Sequence, residues 1–258
     1  VNIIWRMKQK SISVFFHNYY GQHARWLAFF RERMKSPFDL YYNIVTDSIY
    51  NMREESQIFF DAGSAMEKEN GSRVIVRYSS NKGKDIGGKL VMMDTCLHLG
   101  NEPDYLVLMH DKQSPHKIHN REWQQRLFRI MEPDFIDRAL QLLNENPQTG
   151  IVATEDSVQI EVNKEEANNC LALSPVSRLR EAFHIKKSDR RFVAGTMFWA
   201  RSKPLLQFFT LHAPLDIRKD LEAGNVMDEK HETNTHAWER MLSWIITEQN
   251  FQLKTLNA

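Results

Sequence analysis

DYLVLMHDKQSPH, residues 104–116, is the stretch that decides how the chain folds. Tyr105 to Met109 is a continuous apolar run, too short for a globular helix and of the length of a strand buried on both faces. It passes directly into His110, Asp111, Lys112, Gln113, Ser114, Pro115 and His116. A change from pure core to dense polar chemistry at a strand's carboxyl end is where open α/β sheets bind their ligands. An ordinary strand followed by a polar turn would give the same local pattern, so the flanking segments must decide.

Upstream, Ser11–Phe16 (SISVFF) reads as a first strand ending in the polar and aromatic cluster His17–Gly21. Gln22–Met34 has helical spacing of Trp26, Phe29, Phe30 and Met34, and Ser36-Pro37 stops it. Phe38–Thr46 is a second strand, Asp47–Asn70 a helix with an irregular end, and Ser72–Tyr78 a third strand with alternating Val74, Val76 and Tyr78. The segment SSNKGKDIGG, residues 79–88, reads as a glycine-rich loop leading into a helix over Lys89–Leu99. Downstream, Glu122–Phe128 and Pro133–Asn144 read as helices and Gly150–Ala153 as a short strand. Residues 155–190 read as a long polar connection with room for a helix, the kind of segment that carries function or is poorly ordered. Arg191–Arg201 (RFVAGTMFWAR) reads as one strand with Gly195 at its middle, where a missing side chain permits close approach. Lys203–Leu211 is a short helix. Thr235–Thr247 is an amphipathic helix burying Trp238, Met241, Leu242, Ile245 and Ile246, with Thr235 as its cap. Strands alternating with helices predict one α/β domain over residues 1–258 with a mainly parallel sheet flanked by helices, residues 1–10 being a linker.

The composition narrows the class. Charged residues make up 26% and hydrophobic ones 42%, ordinary for a globular protein, and the formal net charge of +1 gives no footprint for nucleic acid. Cys96 and Cys170 have no CxxC partner and read as reduced thiols. No apolar run approaches the ~18–20 residues of a membrane span, and the start VNIIWRMKQK has no signal-peptide core. It also lacks a starting methionine, as a fragment would. A cytoplasmic enzyme or binding domain is expected, with peripheral membrane association left open.

The polar clusters at the strand ends are His17–Tyr20, Asn81–Gly88, His110–His116 and Gly195–Thr196, joined by the helix start Thr235–Arg240. In a parallel sheet these ends gather along one edge. His, Asp, Lys, Glu and accessible glycines together suit a phosphorylated or sugar-bearing ligand, and Asp85, as an ionised carboxylate, is an acceptor for sugar or base groups. GxSxG, HExxH, P-loop and kinase signatures are absent, and Gly83-x-x-x-Gly87 fits no dinucleotide motif. His110, His116 and His119 are close in sequence but fix no metal geometry on a loop.

FDLYYNIVT, NKGKDIGG, YLVLMHDKQSPH with the following EWQQRL, and FVAGTMFWAR with the later HAWERMLSW together resemble the rhamnan synthesis F family of bacterial polysaccharide glycosyltransferases. These stretches occur in the family's order and cover most of residues 11–247. The resemblance implies a GT-A-like nucleotide-sugar fold, a nucleoside-diphosphate deoxysugar donor such as dTDP-rhamnose, and a glycan acceptor, lipid-linked or free. It implies work at the cytoplasmic face in assembling cell-surface polysaccharide or lipopolysaccharide. Asp85 and Gly87, His110 and Lys112, Gly195 and Thr196 with Met197, and His236, Glu239 and Arg240 resemble the family's motif positions. Asp111 departs from the family pattern, which has threonine there.

From these the expected donor-binding set is His17, Asp85, Gly87, His110, Lys112, Gly195, Thr196 and His236. An inverting rhamnosyltransferase needs a base for the acceptor hydroxyl, with Glu239 the first candidate and Asp111 the second. Many GT-A enzymes hold Mg²⁺ or Mn²⁺ with an Asp-x-Asp at this strand end. Here the triplet is His110-Asp111-Lys112. Two readings stay open: Lys112 neutralises the diphosphate with no cofactor, or Asp111 holds a metal ion. Trp199, Trp238 or residues 155–190 are candidates for the acceptor site. A non-catalytic sugar- or nucleotide-sugar-binding domain of the same fold is the rival class. A nucleotidyltransferase would need paired metal carboxylates and a basic phosphate-gripping loop, which the sequence lacks.

Overall fold

Strand β1 (Ile12–Asn18) and strand β4 (Tyr105–His110) lie side by side at the centre of a sheet, buried along their whole length. A computed structural model describes residues 11–51, 56–111, 120–161, 174–186, 189–225 and 232–257. The remaining strands of the main sheet are β2 (Phe38–Val45), β3 (Arg73–Ser79), β5 (Thr149–Thr154), β8 (Phe198–Arg201) and β9 (Gln252–Leu256). They run in the order β3-β2-β1-β4-β8-β5-β9. All are parallel except β8, which is antiparallel to both neighbours. A small second sheet pairs β6 (Val158–Ile160) with β7 (Arg191–Val193). A mainly parallel sheet between helical layers, consistent with a GT-A-like fold, is what the sequence predicted.

The helices are α1 (His23–Arg33), α2 (Ser56–Asn70), α3 (Lys84–His98), α4 (Asn120–Phe128), α5 (Pro133–Glu145), α6 (Pro175–Ala182), α7 (Ser202–Leu211), α8 (Pro214–Lys219) and α9 (Asn234–Glu248). Alternation along the strands feeds two cores. Phe15, Leu106 and Leu108 face one side with Leu90, Met93, Leu205, Trp238, Met241 and Ile245. Val14, Phe16, Tyr105, Val107 and Met109 face the other with Leu27, Phe30, Met66, Phe135 and Ala139. Two buried faces explain why β1 and β4 read as unbroken apolar runs. Cys96 is a free, buried thiol; Cys170 and the expected linker 1–10 lie outside the described residues.

Several expectations need correction. Helix α3 starts at Lys84, so Asp85, Gly87 and Gly88 sit in its first turns and not in a loop. The start is set by Gly83 and Lys84, both left-handed at φ 75° and φ 50°. Asp47–Asn51 is turn rather than helix. Arg191–Arg201 is not one strand: Gly195 (φ 76°) and Thr196 (φ 49°) take left-handed backbone, which leaves the extended region. The chain therefore hands β7 to the small sheet and β8 to the main one. Helix α9 is capped by Thr233, whose hydroxyl accepts from the His236 amide, and not by Thr235. The polar 155–190 connection contains a helix, α6, as its reading allowed, and also the strand β6, which was not anticipated. Helix α8 and strand β9 were not anticipated; α8 has only six residues, and β9 is short with only Leu253 and Leu256 buried.

Glycines let α3 sit against the strand ends. A Cβ on Gly87 would lie 1.8 Å from the Lys82 carbonyl oxygen, and one on Gly88 would lie 1.9 Å from His17 Nδ1. Gly63, inside α2, has only Val74 side-chain atoms near it, from 3.7 Å. Gly87→Ala should therefore destabilise the protein by about 1–3 kcal/mol through overpacking against backbone. Gly63→Ala should stabilise it by about 0.5–1 kcal/mol through helix propensity. Urea unfolding of both variants checks this, and equal effects would contradict the packing described.

Candidate functional site

The sheet order reverses between β1 and β4: β2 and β3 follow β1 outward on one side, and β4 opens the other. Ligands of open α/β sheets bind at such a crevice, beyond the carboxyl ends of the strands. Here those ends carry His17 and His110, which are register partners across the β1–β4 pair.

Above them lies a buried polar cluster. Asp85 Oδ2 accepts from Lys89 Nζ at 2.7 Å and from the Thr196 hydroxyl at 2.7 Å. His110 Nδ1 is 3.3 Å from Lys89 Nζ and 3.4 Å from Asp85 Oδ2. Lys89 Nζ also donates to Thr196 Oγ1. The lysine is only 3% exposed, whereas the Asp85 side chain is 24% exposed. Every bond drawn to the carboxylate goes to Oδ2; among the described residues no donor reaches Oδ1. Burial works against the Asp85 anion, but Lys89 and His110, with the bonds from Lys89 and Thr196, hold its carboxyl well below the usual range.

His17 is buried beneath this cluster, between Gly88 and Asn43, with Asn43 Nδ2 3.0 Å from Nδ1. Its Nε2 is buried, and among the described residues it has no hydrogen-bond partner. Burial lowers its pKa to about 4, Asp85 opposing and Lys89 and Arg218 adding to the shift.

Asp111, one residue beyond His110, is 3% exposed. Its oxygens accept from the Tyr19 amide at 2.9 Å and the Tyr20 amide at 2.5 Å, fastening the β1 end to the β4 end. Burial raises its pKa to about 8, against backbone N–H bonds that lower it. Backbone donors already aim protons at both oxygens, which does not suit a divalent ion. Among the described residues no group of three or more His, Cys, Asp or Glu could hold a metal ion. Asp111 also lines a groove of about 610 Å³, together with Trp26, Phe29 and Arg33 of α1 and Gln124 and Phe128 of α4.

Glu239 Oε1 accepts from the Gly195 amide at 2.5 Å, and Oε2 lies 3.6 Å from Arg240 Nη1. The carboxylate thus clamps the left-handed turn that presents Thr196. Arg240 in turn donates to Glu161 at 2.6 Å and lies over the Phe192 ring. His236 Nδ1 is 2.6 Å from Thr233 Oγ1, at the α9 cap.

The structure therefore brings Asp85, His110 and Thr196 into contact, with His17 beneath and Gly195 tied to Glu239. Gly87 serves helix packing, its side-chain direction filled by Lys82. His236 stands at the start of α9, where its ring and its backbone amide both meet the Thr233 hydroxyl. Lys112, His116 and His119 lie outside the described residues. Trp199 and Trp238 are 0% and 2% exposed core residues and do not shape an acceptor surface; Trp199 Nε1 donates to the Ile130 carbonyl. Lys89 is the residue that sequence reasoning missed. Its signal was the four-residue spacing from Asp85, visible only once the helix start moves back to Lys84.

A family model described as rhamnan synthesis protein F matches residues 2–251. Two curated relatives, each named uncharacterized protein WxcX, come from Xanthomonas campestris pv. campestris strains B100 and ATCC 33913. Both are 25% identical over 194 residues, covering 73% of this chain and 26% of the relative. The chain thus spans about a quarter of the length of the curated relatives it matches.

His17 gives a pH test. Its folded pKa of about 4 lies below the unfolded value of 6.5, so the unfolded state binds more protons between them. Stability carried by the neutral ring is present above pH 6.5 and is lost as pH falls toward 4. Between pH 7 and 4.5, wild type should lose about 2–3 kcal/mol more than His17→Gln in urea unfolding. Parallel pH profiles would contradict a neutral buried imidazole.

Proposed function

The chain belongs to the rhamnan synthesis protein F family, a polysaccharide-synthesis family, and from that premise we propose that it is a glycosyltransferase. It would move rhamnose from a nucleoside-diphosphate donor, dTDP-rhamnose, to a growing cell-surface glycan at the cytoplasmic side of the membrane. Among the described residues no helix is long and apolar enough to cross a membrane, which is compatible with peripheral attachment.

The observation that carries this reading is the asymmetry of Asp85. Oδ2 is fixed by Lys89 and Thr196, from two different elements, while among the described residues no donor reaches Oδ1 of this partly exposed side chain. A permanently ionised, immobilised acceptor suits hydroxyls, which a sugar ring supplies in pairs. His110 and the Gly195–Thr196 turn complete the donor side.

In an inverting transfer the acceptor oxygen forms a bond to the anomeric carbon. The bond from that carbon to the diphosphate breaks, and its electron pair leaves with the nucleotide. The acceptor hydroxyl proton passes to a base. Of the two candidate carboxylates, Asp111 fits this role better. It lines an open groove beside the donor cluster, and its pKa of about 8 suits proton uptake near neutral pH. Both carboxylates accept backbone N–H bonds, but Glu239 also faces Arg240 and clamps the Gly195–Thr196 turn, so we assign it to positioning that turn.

Two measurements test the reading. dTDP-rhamnose should raise the melting temperature of the wild type, and more than dTDP alone, since a ligand bound only by the folded state stabilises it. Repeating the screen with Mg²⁺ or Mn²⁺ reads out any dependence on a metal. No shift with any nucleotide sugar would remove the donor assignment, and a shift without turnover on any acceptor would favour the binding-module alternative. Asp111→Asn should lower kcat by about 10²–10⁴-fold. Glu239→Gln keeps an oxygen for the Gly195 amide and should stay within about tenfold of wild type. The reverse order would return the base role to Glu239.

A further inference from the structure

The groove between α1 and α4 has a composition that the donor cluster does not explain. Trp26 of α1 and Phe128 of α4 stack across it, centroids 5.3 Å apart at 29°. Both rings pack on the core while remaining only partly buried. Phe29 stands beside them, with the Arg33 guanidinium 4.3 Å over its ring. Planar hydrogen-bonding groups surround this aromatic floor: Arg25, Gln124 and Arg129 line the same space. Arg25 donates to the neutral Gln22 amide at 3.0 Å. No carboxylate among the described residues lies within ion-pair distance of Arg25, Arg33 or Arg129. The volume, about 610 Å³, is that of a ligand pocket rather than a packing defect. One end is closed by Tyr20 and Asp111, at the carboxyl end of the central strands.

Resting on the glycosyltransferase reading above, we propose that this groove is the acceptor subsite, and that it takes the terminal sugars of an oligosaccharide. Aromatic faces match the apolar C–H faces of sugar rings, and planar amides and guanidiniums donate to their hydroxyls. Asp111 stands where the groove meets the strand ends, one residue from His110 of the donor cluster. A chain laid between α1 and α4 therefore delivers its terminal hydroxyl to the junction of the two sites. The donor enters over α3 and the acceptor over α1 and α4, on opposite faces of the sheet and meeting at its switch point.

The test is a calorimetric titration of a rhamnose trisaccharide into wild type, Gln124→Ala, Arg129→Ala and Trp26→Ala. Each variant is also checked for its melting-temperature shift with dTDP-rhamnose. The proposal expects binding to wild type that weakens about tenfold in each variant, with the donor shift kept. Gln124 and Arg129 do not carry the core, so a folding failure of Trp26→Ala leaves the test intact. Undiminished binding in the Gln124 and Arg129 variants would overturn the groove assignment, as would no trisaccharide binding to wild type. Inorganic phosphate or pyrophosphate competing with the trisaccharide in the groove would overturn it in favour of an anion site. Absence of a donor shift in wild type is a separate failure, of the underlying activity, and leaves the trisaccharide result to be read by itself.

Discussion

The Lys89 ammonium is the charge on which the strand-end architecture depends. Removing a lysine from water costs several kcal/mol unless its charge and its protons are answered. Here Asp85 answers the charge, and the carboxylate, the Thr196 hydroxyl and the His110 ring surround the nitrogen. Those groups come from α3, from the β7–β8 turn and from the end of β4. One buried cation thus ties three segments that are far apart in sequence. It also offsets a local cost: Thr196 is a non-glycine residue in left-handed backbone, unfavourable by about 1–2 kcal/mol. In that conformation its hydroxyl accepts from Lys89 and donates to Asp85.

The glycines follow from this. For Lys89 to reach the strand ends, the first turns of α3 must press against Lys82 and His17, and any side chain on Gly87 or Gly88 would stand in the way. The same close approach seals His17 from water and keeps it neutral. A neutral imidazole is required there, because a second cation beside Lys89 would pull at the same carboxylate. On the far side Glu239, and behind it Arg240 and Glu161, hold the Gly195 amide. Among the described residues, the Asp85 cluster is therefore held by ionic and backbone bonds from several elements.

The sequence made the architecture legible because its strongest signals were local. Tyr105–Met109 and Ser11–Phe16 are buried on both faces, so their apolar runs needed no knowledge of partners. The amphipathic face of α9 was equally plain. What stayed hidden depended on backbone sign and on distant partners. RFVAGTMFWAR has the composition of one strand, and only the left-handed pair Gly195–Thr196 breaks it. NKGKDIGG has the composition of a loop, yet helix packing uses its glycines, which moved the helix start and concealed the Asp85–Lys89 pair. Trp199 and Trp238 illustrate a further limit: an aromatic next to polar residues reads the same whether it lines a site or fills the core. The α1–α4 groove drew no notice in the sequence because its aromatic residues, spaced for a helix, looked wholly like core.

Two carboxylates stand at the same sheet edge in opposite electrostatic situations. Asp85 has an ammonium at 2.7 Å and is held ionised. Asp111 is buried, its hydrogen bonds among the described residues come from neutral backbone N–H groups, and burial pushes its carboxyl up to about 8. The Asp85 anion itself adds to that rise, the least of the contributions. A permanently charged acceptor cannot take a proton at neutral pH, whereas a group poised near 8 exchanges one readily. Divergent environments of this kind separate a binding carboxylate from a proton-handling one. The separation follows from position: β4 places Asp111 under the amides of the β1 turn, and α3 places Asp85 on Lys89. Among the described residues, the two carboxylates are therefore distinguished by the ammonium bonded to one of them and the backbone amides bonded to the other.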